Sequence, residues 1–194
     1  MLLNHIFFIN SKKSKIKQPM KKIIYYLAIG ALISCNKSIK IDTAPLSGTI
    51  NQSDEKTKIV EKLGQAYTKG TFELANEYFT PDGVHMVNDE IYSTEEIIKG
   101  YNFHSLLFDE LKHNDPDITT MFYNNGNIFT NQWAHWSGVS KITGKFHELD
   151  FYCSWKWENN KIVGTHCYFD TRIIEEESKL FQQKMSADEK TTEQ

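Results

Sequence analysis

The chain predicts an α+β domain with N-terminal helices packed on one face of an antiparallel sheet. Apolar residues recur at helical spacing from residue 53 to residue 111. From residue 118 the pattern changes to long strand-like runs separated by short, Asn-rich turns. Helices followed by a meander of strands bury their apolar faces best as two layers around one core. Aromatic residues make up 13% of the chain and concentrate after residue 100, so the second half is expected to build the core and any cavity.

Each element has its own signal. Ser53 is placed to cap a first helix, with Asp54 and Glu55 favourable at its start. Ile59, Val60, Leu63, Ala66 and Tyr67 then share one side, and Gly70 is a stop. Thr71 opens a short second helix carrying Phe72, Ala75 and Phe79. Pro81-Asp82-Gly83 is a turn, and Val84–Val87 with Ile91-Tyr92 form a hairpin around Asn88-Asp89-Glu90. Ser93-Thr94-Glu95-Glu96 is a capping box for a third helix bearing Ile97, Ile98, Tyr101, Ser105, Phe108 and Leu111, which Asn114-Asp115-Pro116 ends. Strands follow over 118–123, 127–140, 145–157 and 161–173, with a two-residue turn at Asn159-Asn160. The domain is read as residues 53–181, and 182–194 as a disordered tail.

The N-terminus reads as an export signal. Lys21 and Lys22 precede an uncharged run, Ile23–Ile33, too short to span a bilayer and right for a signal-peptide core. The run ends in Leu32-Ile33-Ser34-Cys35, which resembles the lipobox of bacterial lipoproteins. Residues 1–34 are therefore read as a signal, with translation expected to start at Met20. Cys35 is the expected lipidation site, and residues 35–52 are the tether. The expected location is the cell membrane or outer membrane, with the domain outside the cytoplasm and no membrane contact beyond the lipid.

Net charge −3 and a pI near 6.2 supply no basic face for nucleic acid. No HExxH, CxxC, Gly-rich phosphate loop or Ser nucleophile elbow appears, so no metal, cofactor or nucleophilic triad is expected.

Three stretches together resemble the SnoaL-like branch of the NTF2-like superfamily across about residues 54–181. They are Phe79-Thr80-Pro81-Asp82-Gly83-Val84, the Ser93–Glu96 start leading into Ile97-Ile98-Lys99-Gly100, and the closing hairpin Trp155–Ile162 with Tyr168-Phe169-Asp170. The resemblance implies a cone, with a curved antiparallel sheet wrapped around the helices and an apolar cavity at its wide end. It includes cyclases, isomerases, hydrolases and dehydratases as well as members without known chemistry, so it does not set function.

A two-residue turn at Asn159-Asn160 pairs residues whose numbers sum to 319, which puts His166, Tyr168 and Asp170 on the apolar inner face with Trp155 and Trp157. Asp170 also occupies the aromatic-Asp position of the resemblance. It reads either as a general base helped by His166, or as an anchor for the strand end. Tyr101, His104, His135, Trp155 and Tyr168 are the candidate ligand contacts. The same register sends Cys153 and Cys167 to opposite faces, so no disulfide is expected between them. Two functions remain open. One is an anchored protein whose cone binds a small apolar ligand or a partner protein. The other is a cofactor-free lyase, isomerase or hydrolase using Asp170. A homodimer through Tyr152 and Phe169 is a further expectation.

Overall fold

The computed structural model describes residues 42–192, so the signal segment and Cys35 lie outside the described residues. No helix among them is long and apolar enough to cross a membrane. Three helices pack against a curved, unclosed seven-stranded sheet.

Strand β1 (Gly48–Asn51) lies where a tether was expected; it pairs antiparallel with the outermost long strand through Gly48–Tyr123 to Asn51–Thr120. Helix α1 (Glu55–Thr68) is capped by Asp54, whose Oδ1 accepts from the backbone N–H groups of Lys56 and Thr57. A 3-10 helix (Phe72–Glu77) leads into β2 (Phe79–Val87) and β3 (Glu90–Ser93). Helix α2 (Thr94–Leu107) starts at the expected capping box, with Ser93 and Glu96 serving each other's backbone N–H groups. Four long strands follow: β4 (Phe108–Tyr123), β5 (Ile128–Ser140), β6 (Phe146–Glu158) and β7 (Lys161–Tyr168). Helix α3 (Arg172–Thr192) closes the described chain. It replaces the tail expected to fray after residue 181.

The strand order is β1-β4-β5-β6-β7-β2-β3. The sheet is mixed rather than antiparallel throughout, because β2 runs parallel to β7. The early β2–β3 hairpin docks on the far edge of the later meander, a long-range choice that local turn signals do not encode. At that junction β2 and β7 approach closely. A Cβ on Gly164 would lie 2.4 Å from the Val84 carbonyl oxygen, so only glycine fits.

Two expectations about strands fail at β-bulges. The sequence pattern carries the third helix to Leu111, but the helix ends at Leu107, and Asn114-Asp115-Pro116 sits inside β4. Glu110 and Asp115 take positive φ (51° and 44°), each where the β4–β5 register shifts. A separate bulge, in β7, controls the closing hairpin. Asn159 and Asn160 form the expected turn, with φ 48° and 62°, and Trp157–Ile162 pairs as predicted. Val163 is then extra: the next pair is Lys156–Gly164, and the register beyond it brings Cys153 opposite Cys167. These cysteines form a disulfide, contrary to the sequence expectation. One inserted residue turns the rest of β7 over. Thr165 and Cys167 face inward, whereas His166 and Tyr168 face outward. The inner-face reading of β6 itself holds, with Cys153, Trp155 and Trp157 all buried.

Candidate functional site: an aromatic cavity under the last helix

Helices α1 and α2 and the inner faces of β4, β5 and β6 surround a cavity of about 60 Å³. Tyr67 and Phe72 line it from one side and Trp136, Phe151 and Trp155 from the other; Phe169 and Ile174 close it at the start of α3. Glu177, one helical turn further on, is buried. It accepts a 2.6 Å hydrogen bond from Ser140 Oγ, and its other oxygen lies 3.3 Å from His147 Nε2, near enough to attract but not aligned for a hydrogen bond. This polar clasp holds α3 over the cavity.

Several polar groups in the wall serve one another, whereas the buried Trp155 N–H has no partner among the described residues. Tyr67 sits at the centre of a chain: its hydroxyl accepts from Trp136 Nε1 at 2.8 Å and lies 3.0 Å from His104 Nδ1. Burial pushes His104 down to about 4, so its ring is neutral at pH 7. Tyr67 then donates to Nδ1, which leaves the ring proton on Nε2. Burial also raises the Tyr67 and Tyr101 hydroxyls far above their usual range, keeping both protonated. His113 stacks on the Tyr67 ring at 5.0 Å and is likewise pushed by burial to about 4. Gln132 Nε2 donates to His113 Nδ1 across 3.4 Å. The cavity therefore presents an uncharged aromatic wall.

No profile of a known protein family matches the chain, and no curated protein is significantly similar to it in sequence. Solved structures do match. AclR, a candidate hydroxylase from Streptomyces galilaeus, aligns with a TM-score of 0.52 at 13% identity, over 64% of this chain and 96% of its own. A candidate polyketide cyclase from Xanthomonas campestris aligns at 0.50 and 15% identity, over 60% and 90%. An NTF2-like protein from Anabaena variabilis aligns at 0.50 and 16% identity, over 62% and 92%. The domain has the NTF2-like fold. At these identities the likeness is one of fold alone.

Within the NTF2-like domain, the sequence-derived site residues separate into two groups. Tyr101, His104 and Trp155 line the cavity. His166, Tyr168, His135 and Asp170 do not. His166 donates from Nε2 to the Asn88 carbonyl at 2.7 Å and accepts from the Tyr168 hydroxyl at 3.0 Å, on the outer face. His135 is also outside, with Nδ1 2.8 Å from Asp150 and Nε2 3.0 Å from Glu148. Asp170 follows the end of β7 in solvent. Its carboxylate accepts from the backbone N–H and the guanidinium of Arg172, which hold it down at about 2. A carboxylate so placed is ionised at any ordinary pH and does not line the cavity, which fits the anchoring arrangement better than that of a base. Phe169, expected on an exposed dimer face, lines the cavity instead.

Sequence reading missed Tyr67, His113, Gln132 and Trp136 as cavity residues. Tyr67 is recognisable only as one more apolar position of α1. His113 is hidden because the segment around it reads as the end of a helix. The available clue was Pro116, since proline within a strand marks an edge or a bulge. Among the described residues no group of three His, Cys, Asp or Glu side chains is arranged to hold a metal ion.

Proposed function

We propose that this protein is a lipid-anchored binding protein, held outside the cytoplasm through Cys35, whose NTF2-like cavity takes up the apolar part of a small uncharged molecule. The observation that carries this reading is the wall of the cavity: Tyr67, Trp136 and His104 satisfy one another, as do His113 and Gln132. A guest meets mainly aromatic and aliphatic surface, which favours apolar groups and penalises charge. The enzyme alternative needs a base beside the guest. Asp170 lies outside, paired with Arg172, and His104 and His113 are weakly basic where they are buried.

Native mass spectrometry of the protein extracted from membranes tests the reading. The expected result is a lipid-modified N-terminus at Cys35 and a small apolar molecule retained by the folded domain. Cys35→Ser should release the protein into the soluble fraction with that molecule still bound. An unmodified Cys35 sinks the anchoring half. A domain that neither retains nor takes up any apolar molecule sinks the binding half.

A further inference from the structure

A second hollow lies just beyond the cavity wall. A groove of about 540 Å³ runs between α1 and β4, lined by Gln65, Thr68, Lys112 and Asn114 together with Leu111 and Pro116. Gly64, His113 and Gln132 line both spaces. We infer that groove and cavity form one bipartite site for an amphiphile, whose slender apolar end enters the cavity while a hydrogen-bonding head that is not anionic stays in the groove. This inference rests on the reading of the cavity as a binding site.

Size makes the first argument. Ligand sites usually measure roughly 300–1,000 Å³. At about 60 Å³ the cavity holds only the end of a molecule, and the adjoining groove supplies the remaining volume. The partition is also thin. Gly64 contributes no side chain, and a Cβ there would sit 3.3 Å from His113 Nδ1 and 3.4 Å from Gln132 Nε2. The polar tie across it is the single 3.4 Å Gln132–His113 hydrogen bond, long enough to be weak. Burial keeps His113 neutral, so parting the two leaves no buried charge.

The stretch of β4 that carries His113 is held to β5 by few backbone pairs, with the Asn114 side chain adding hydrogen bonds to the His135 carbonyl and Ser137. Lys112, His113 and Asn114 pair with β5 as an isolated run of three between the register shifts at Glu110 and Asp115. A short run between bulges moves at less cost than a continuous ladder. The two spaces also differ in chemistry. The cavity is apolar, whereas the groove offers the Gln65 amide and the Thr68 hydroxyl. Its Lys112 ammonium is 3.5 Å from Glu110 and its rim also carries the Glu61 carboxylate, so an anionic head has no unpaired lysine to meet there.

The test uses the full chain with three amides and xenon. Hexanamide has an alkyl tail and one polar head, acetamide is the head alone, and adipamide is polar at both ends. Xenon enters apolar cavities without needing a groove. Wild-type protein should bind hexanamide at least tenfold more tightly than adipamide and show no saturable binding of acetamide. Gln65→Trp, at an exposed α1 position, fills the groove; it should weaken hexanamide binding at least tenfold and leave the xenon shift unchanged. Thr68→Tyr is a companion variant that fills the groove from the next turn. Hexanamide bound equally well by wild type and both filled variants overturns the bipartite site, as does xenon uptake without hexanamide binding by wild type. If neither xenon nor hexanamide perturbs Tyr67 or Trp136, the cavity reading itself falls.

Discussion

Trp157 on β6 and Trp133 on β5 are the same side chain on neighbouring strands of one sheet, yet the first is 3% exposed and the second 46%. The histidines divide in the same way. His85, His104 and His113 lie on the inner side and are held neutral by burial, whereas His135 on the outer face is flanked by two carboxylates that raise it. Residue type does not set charge or energetic weight here; the face of the sheet does. The inner face also carries the disulfide and the cavity. The outer face carries the aromatic row Trp133–Tyr152–Tyr168 and the carboxylate-flanked histidine.

The contrast is broken most directly by truncation. Trp157→Ala removes a buried indole and should cost about 3–5 kcal/mol in urea unfolding. Trp133→Ala should stay within about 1 kcal/mol, since nearly half of its surface remains in water. Equal losses would mean that the two faces are not distinct. The disulfide comes next. Cys153→Ser with Cys167→Ser should lower stability by about 3 kcal/mol, the chain-entropy expectation for a loop of this length. Non-reducing mass analysis of wild type should show no free thiol at either position.

Acid sharpens the comparison further. His85 donates from Nε2 to Thr94 and accepts at Nδ1 from Thr165, and burial lowers it to about 4, as it does His104. A histidine lowered on folding binds more protons unfolded than folded between about 6.5 and 4. The stability it contributes is therefore intact above 6.5 and falls as pH drops toward 4, by up to about 3 kcal/mol for each of the two. His135 has the opposite sign: its contribution is present below 6.5 and fades as pH rises through its raised value. Urea midpoints at pH 7, 5.5 and 4.5 should fall steadily in wild type, and His135→Ala should not remove that fall.

Smaller effects separate neighbours on the inner face. Trp157 donates from Nε1 to Thr130, whereas the buried Trp155 N–H has no partner among the described residues. Trp157→Phe should cost about 1–3 kcal/mol and Trp155→Phe close to nothing. Smallest of all, Asp170→Asn should leave the urea midpoint close to that of wild type. Any turnover by the protein should survive that change; its loss in a normally folded Asp170→Asn variant would return Asp170 to the active site.

Much of this was legible in the order of residues. The capping box at Ser93, the paired asparagines at 159–160 and the alternation of β6 are local signals, each read within a few residues, and each stands in the structure. The α+β class and the placement of Tyr101, His104 and Trp155 near a cavity followed from them. Tertiary structure decided the rest. It attached β2 in parallel to β7, where Gly164 admits the Val84 backbone, and it inserted Val163 as a bulge beside that junction. Side chains alternate with a period of two, so that single residue exchanged His166 and Tyr168 for Thr165 and Cys167 on the inner face, created the disulfide and left Asp170 exposed beside Arg172. Two further bulges in β4 brought His113 to the cavity wall, a position that depends on packing against Tyr67 and Gln132 rather than on any pattern in the segment that carries it.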